Sequence, residues 1–426
     1  MLLIPFPAFA LAIFALTLAF APLHPKIGGL AWILFGLMGL VTYLRSGALT
    51  ARNLAPSSGA RNLTPVEQAA CVWLLACLVS GILRIIPHSF WHDDWGRRHA
   101  EARLLLGALA SAALVKWPPF YRLMGWQRSL LGYALSLACV LGMMVTALHG
   151  RETPLHPIAW SVGLSFIVVL LAPMTLDSLS PSLHRKFWMA GVVMGLMGVL
   201  LSQSRGVYGL LIWLVLAGFV ALMNRSLLRT SFFSRRSWLV LGLVILSLLA
   251  LTLVEPYCLS NLAQRWVDAW TEAAMSSENI GQAANTSVGA RLYLWGRSLE
   301  AIELQPIFGY GKENSVAMIK AWGREINSEQ IQILGHLHNE FLDAWTSHGL
   351  LGLLSLLVLS TGLGLAVHKL WVPHPVPAFG LLGILFMHLS AGLSNVNMAH
   401  NYYGAMLSLS VGLALVLAAS EERALR

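Results

Sequence analysis

His338 is followed at once by Asn339 and, after nine further residues, by Gly349-Leu350-Leu351-Gly352. An imidazole changes protonation near neutral pH, so at a water-facing membrane edge it is a candidate general base acting on a lipid-borne substrate. The spacing predicts a helix running through His338. On it Gly349 and Gly352 fall within about 40° of the imidazole, leaving a bare strip along which another helix or a lipid chain approaches. The alternatives for His338 are a structural hydrogen-bonding role and, with His336 and His348, a metal site. His338 and His348 would stand about 15 Å apart along such a helix, too far to share one ion, so no metal ligand set is expected.

Arginines supply the complementary chemistry. Arg205, in Ser204-Arg205-Gly206, falls in a very short turn between two apolar segments. There a planar guanidinium takes a phosphate bidentately, or merely snorkels to anchor a helix end. Arg291 and Arg297 fall on one predicted helix and Arg265 on another. Arg265 and Arg297 have Asp268, Glu300 and Glu303 at helical spacing and so also read as exposed ion pairs, whereas Arg291 has no acid three or four residues away. Arg291 is therefore the leading loop candidate for phosphate.

The elements that must position these groups follow from composition. With 57% apolar and 11% charged residues and a mean hydropathy of +0.68, the chain has too little polar surface for a soluble globule of its size. An all-α, polytopic membrane protein is expected. About twelve spans are marked by apolar runs: 6–23, 30–44, 69–86, 104–117, 130–148, 158–174, 188–201, 206–223, 238–254, 350–367, 379–393 and 402–419. The fourth is the shortest on apolarity and carries Lys116. The first has no basic start and no following cleavage site, and is read as retained.

Basic residues orient the spans. Arg45, Arg52, Arg61, Lys116, Arg122, Arg128, Arg185, Lys186, Arg225, Arg229, Arg235, Arg236 and Lys369 share one side, with Asp177 among the few acids there. That is the retained, cytoplasmic side. The net charge of +9 is then a consequence of topology, and no nucleic-acid partner is expected. Cys71, Cys77 and Cys139 fall in spans and only Cys258 outside them, which excludes an extramembrane disulfide framework.

Residues 255–349 hold no spanning run, so the chain divides into spans one to nine (1–254), a large translocated loop (255–349) and spans ten to twelve (350–426). A loop of that length is expected to be a folded functional element. An amphipathic helix is predicted over 262–275, a polar connection over 276–287 and a second helix over 288–304, ended by Pro306. A turn at Gly309-Tyr310-Gly311 follows, then a last helix leading through His338 into the membrane.

The run His338-Asn339, nine residues, Gly349-x-x-Gly352 resembles the signature of the O-antigen ligases. The Ser204-Arg205-Gly206 turn, and Arg291 followed by Pro306, Gly309 and Gly311, resemble the wider superfamily shared with O-antigen polymerases and bacterial protein oligosaccharyltransferases. So does the long loop before the last three spans. The specific motifs cover about Gln203 to Gly206 and Gly289 to Gly352.

The resemblance implies a GT-C-like fold and an inverting, metal-independent glycosyltransferase without a cofactor, working in lipopolysaccharide biosynthesis. It implies a multi-pass protein of the bacterial inner membrane with its site facing the periplasm. The donor would be O-antigen on undecaprenyl pyrophosphate and the acceptor a sugar hydroxyl of lipid A core, with membrane lipids as the remaining partners. His338 would deprotonate or orient the acceptor, Arg205 and Arg291, with Arg265, would bind the pyrophosphate, and Asn339, Gly349 and Gly352 would complete the motif. O-antigen polymerase and protein O-oligosaccharyltransferase remain as alternatives with the same donor. A chain ending at Arg426, soon after the twelfth span, favours the ligase among them. A membrane transporter is the reading from another class, against which stand the lack of repeated halves and the few charges within spans.

Overall fold

The computed structural model describes residues 6–52, 62–94, 99–116, 125–150, 152–153, 157–175, 180–215, 264, 267–275 and 280–424. All regular structure among them is helical. The first group comprises α1 (Phe6–Phe20), α2 (Pro25–Arg52), α3 (Pro65–Trp91), α4 (His99–Val115), α5 (Gly125–His149), α6 (Pro157–Met174) and α7 (Ser182–Leu201). A short 3-10 turn, Arg205–Val207, leads into helical residues 209–215. After helical residues 267–275 come α8 (Ile280–Ala283), α9 (Ser287–Leu304), α10 (Lys312–Glu325) and α11 (Glu329–Gln332). The chain then returns to long helices with α12 (Glu340–Leu370), α13 (Pro375–Gly392) and α14 (Asn401–Ala424).

Among the described residues, seven helical stretches are long and apolar enough to cross a membrane: Pro25–Arg45, Pro65–Trp91, Trp126–His149, Pro157–Met174, Glu340–Leu370, Pro375–Gly392 and Asn401–Glu422. The chain is a membrane protein. Expected spans 6–23 and 188–201 also fall on helices, the first a shorter apolar stretch, Phe9–Leu23, and 104–117 is helical as far as Val115. The expected span 206–223 is described only as far as residue 215, and 238–254 lies outside the described residues.

Burial orders the bundle. Every residue from Tyr402 to Glu421 is buried, so α14 is enclosed on all faces, by α4, α6, α13, α2 and α3. A helix apolar all round belongs in such a place. The most extensive pairing is α3 along α12. Arg84 fastens it, donating from Nε to Ser355 Oγ at 2.8 Å and facing Glu101 of α4 at 3.5 Å. Helix α3 starts at a capping box in which Thr64 Oγ1 accepts from Glu67 N–H and the Glu67 carboxylate accepts from Thr64 N–H.

Residues 280–338 form a second, smaller core of their own. Ala290, Tyr293 and Leu294 of α9 pack with Ile319 and Trp322 of α10, Ile331 of α11 and Leu337. The region is richer in structure than the sequence suggested. The expected polar connection 276–287 contains α8, and α10 and α11 intervene between the Gly309-Tyr310-Gly311 turn and His338.

Candidate functional site

The expected helix through His338 is not formed. Asn339 is the N-cap of α12, its side-chain oxygen accepting from Phe341 N–H at 3.0 Å and Leu342 N–H at 3.1 Å. His338 therefore stands in the preceding turn, with φ of 53°. The physical reason is the cap itself: an Asn oxygen that satisfies the first helical N–H groups fixes the start of the helix behind it, one residue after the imidazole. The turn is pinned from both sides. Leu337 N–H donates to Asp343 Oδ1 at 3.2 Å, and Leu337 C=O accepts from Trp295 Nε1 at 2.9 Å. Asp343, itself buried, is paired with Lys312 Nζ at 2.8 Å.

The glycines do other work than the strip expected of them. At Gly349 the backbone of α12 breaks (φ 63°, ψ −159°), and the segment 306–311 crosses the helix there. Tyr310 N–H donates to Thr346 C=O (3.0 Å), Gly311 N–H to Ser347 C=O (2.8 Å) and Leu350 N–H to Pro306 C=O (2.7 Å). A Cβ on Gly349 would lie 2.0 Å from Ile307 C=O, and one on Gly309 2.5 Å from Thr346 C=O. The close approach is thus to the chain's own loop rather than to a lipid or a neighbouring helix. Gly352 lies one turn below, where a Cβ would meet Ala344 C=O at 2.3 Å.

His338, half-buried, faces an open pocket of about 240 Å³ lined also by Arg291, Ser287, Ala290, Gln330, Leu334 and Ile158. Arg291 comes from the first turns of α9, whose N-cap Thr286 accepts from Gly289 N–H. The His336 ring stands edge-on to the His338 ring at 4.2 Å. The pocket joins a group able to take a proton to a cation able to hold an anion.

Arg205 opens the 3-10 turn beside this pocket. A Cβ on its neighbour Gly206 would lie 2.3 Å from Ser394 Oγ and 3.4 Å from Ile158, the residue that also lines the pocket. The side chain of Arg205, and the whole of Arg265, lie outside the described residues. Arg297 is not among the pocket residues: it pairs with Glu300 at 2.9 Å and Glu325 at 3.2 Å and lies 5.7 Å over the Trp322 ring.

Three acidic residues that the sequence reading passed over shape the site's frame. Asp343 holds the His338 turn. Glu340 accepts from Asn397 and Met398 N–H, tying α12 to the chain ahead of α14. Asp93 caps α10, accepting from Lys312 N–H at 3.0 Å. Burial alone pushes the Asp93 carboxyl up. The neighbouring His348 and the N–H groups of Lys312 and Glu313 outweigh it and hold it at about 2. A helix N-terminal signal was readable in Glu340 and Asp343, directly after Asn339, but nothing local announced their partners.

Metal-ligating side chains cluster outside the pocket. Among the described residues His88, Asp93 and His348 form such a group.

Residues 190–357 match the family model described as O-Antigen ligase, a stretch that contains Arg205, Arg265, Arg291, His338, Asn339, Gly349 and Gly352. An uncharacterized protein of Haemophilus influenzae is 31% identical over 140 residues, which covers 30% of this chain and 34% of that protein. The matched stretch thus spans about a third of the relative's length. His338 and Arg291 of the pocket both lie inside the stretch, residues 190–357, over which this chain is similar to the O-antigen ligase family.

Proposed function

We propose that the chain is an inverting glycosyltransferase of lipopolysaccharide biosynthesis. It moves an O-antigen glycan from undecaprenyl pyrophosphate to a sugar hydroxyl of lipid A core, at the periplasmic face of the bacterial inner membrane. The observation that carries the reading is the shared pocket of His338 and Arg291 within the family match.

The acceptor hydroxyl gives its proton to the His338 imidazole as its oxygen attacks the anomeric carbon from the side opposite the carrier. The new C–O bond forms as the bond to the pyrophosphate oxygen breaks, and the carrier pyrophosphate leaves with the electron pair. Negative charge grows on that leaving group, and Arg291, with Arg205 from the adjoining turn, stabilises it there. Two guanidinium groups provide the charge that a metal ion would otherwise bring, so the step is proposed to be metal-independent. Ser287 and Gln330, the other polar lining residues, are placed to hydrogen-bond sugar hydroxyls.

The test is transfer by the purified, reconstituted chain from a polyprenyl-pyrophosphate glycan to three acceptors supplied separately: lipid A core, a second carrier-linked glycan, and a serine-containing peptide. Product on lipid A core, absent with His338→Ala, is expected. Product on the second glycan or the peptide alone would assign the chain as a polymerase or a protein oligosaccharyltransferase.

A further inference from the structure

His88 lies near the end of α3, Asp93 just beyond it, and His348 one residue before the break in α12. His88 Nδ1 and His348 Nε2 each stand 3.6 Å from the same oxygen, Asp93 Oδ2. The ligand atoms of all three lie within 4.8 Å of one another, and the residues are 1%, 5% and 5% exposed. We propose that His88, Asp93 and His348 bind one divalent transition-metal ion of the zinc class, which clasps α3 to α12.

The separations favour an ion between the groups. Ordinary N–H···O bonds measure about 2.7–3.2 Å, and 3.6 Å is longer. Bonds of about 2.0–2.1 Å arranged tetrahedrally around zinc put neighbouring ligand atoms ~3.4 Å apart. Two nitrogens converge on one carboxylate oxygen from separate helices, which is the convergence an ion requires.

The carboxylate is also held as metal-ligating carboxylates are held. Lys312 N–H reaches both of its oxygens at 3.0 Å, and Gly311 lets the backbone come close, since a Cβ there would lie 3.2 Å from Asp93 Oδ1. Two imidazoles and one carboxylate suit zinc-class ions, whereas calcium and magnesium take oxygen ligands throughout. The spacing of the sequence set His348 too far from His338 to share an ion; the fold brings it instead to two residues about 250 positions earlier. None of the three lines the pocket, so the ion stands outside the transfer step, and the proposal holds whatever the pocket transfers.

The test uses the full chain in detergent, stripped with a chelator and titrated with cobalt(II), whose visible absorption reports a low-coordinate site, and then with zinc(II). One cobalt per chain, displaced by zinc, is expected, together with a higher thermal midpoint of the stripped protein on adding zinc. His348→Gln and Asp93→Asn should each weaken cobalt binding by more than about 100-fold, beyond the 10–100-fold worth of an outer-shell partner. His338→Ala, which removes the His336–His338 ring pair, should bind like the parent. If a variant does not fold, the absorption and midpoint of the parent decide. No absorption band and no midpoint shift in the stripped parent, binding unchanged in both ligand variants, or binding lost only in His338→Ala would overturn the proposal and leave an ion-paired junction.

Discussion

The helical bundle and the smaller unit over residues 280–338 differ in the partners that hold the groups described above. In the bundle, hydroxyls bond to the preceding turn of their own helix: Thr42 to Met38 C=O, Ser111 to Gly107 C=O, Thr146 to Gly142 C=O, Ser165 to Ser161 C=O. Around the smaller unit the bonds that brace the His338 turn and its neighbours reach partners remote in sequence, as with Lys312 and Asp343, Trp295 and Leu337, or Ser328 and Ala284 C=O. Local satisfaction makes a robust scaffold. Remote satisfaction makes a frame that depends on every partner at once, and that frame holds the His338 turn.

Substitutions that set function against frame test this contrast. The largest effect is expected from His338→Ala, with transfer falling about 10²–10⁴-fold, the usual worth of a positioned base. Its thermal midpoint should stay near the parent's, because the ring is half-buried and the turn is held by its neighbours. A midpoint lowered in step with activity would make His338 part of the frame.

Next comes Asp343→Ala, which strands Lys312 and frees Leu337 N–H. Breaking a buried pair costs about 3–5 kcal/mol, and the partial exposure of Lys312 puts this one near 3 kcal/mol. Chemical unfolding in detergent measures it. A loss below about 1 kcal/mol would erase the contrast between the two regions.

Arg291→Lys keeps the charge and loses the planar fork, so a loss of about 10-fold in donor binding is expected, and Arg291→Ala should lose more. Equilibrium binding of an isoprenyl pyrophosphate reads both. Arg297→Ala, which removes ion pairs to Glu300 and Glu325 outside the pocket, should leave that binding within about twofold, as surface pairs are worth little.

A small effect on stability alone is expected in the bundle. Thr64→Ala removes the cap of α3 and should cost about 1 kcal/mol of stability without changing donor affinity. A change in affinity would show that the scaffold and the site are coupled through α3.

The same contrast explains what the sequence disclosed. Apolar runs marked the long helices because their information is local, as it was for α9, which spans Ser287–Leu304 against a predicted 288–304. The site's residue types were legible, since His338 and Arg291 carry chemistry that few side chains share, and they do meet. Its geometry was not. An apolar run after His338 read as one helix, although Asn339 was the capping signal that moves the start, and Gly349 sits where a loop about forty residues upstream crosses. Asp93 and His348 are brought together only by packing α3 on α12.

The enclosure of α14 also bears on how the protein is made. This helix is translated after the thirteen described helices that precede it, yet it ends between α2, α3, α4, α6 and α13. Those five must therefore enter the bilayer around a slot lined with lipid, and Ser408 must find Gly107 by displacing acyl chains rather than water. Apolar attraction provides little drive for that exchange inside hydrocarbon, so close packing of small residues has to supply it. Biogenesis thus closes the bundle only once α14 has entered it, and a ribosome stalled before residue 401 leaves a chain with His338 and Arg291 synthesised and no centre to hold them.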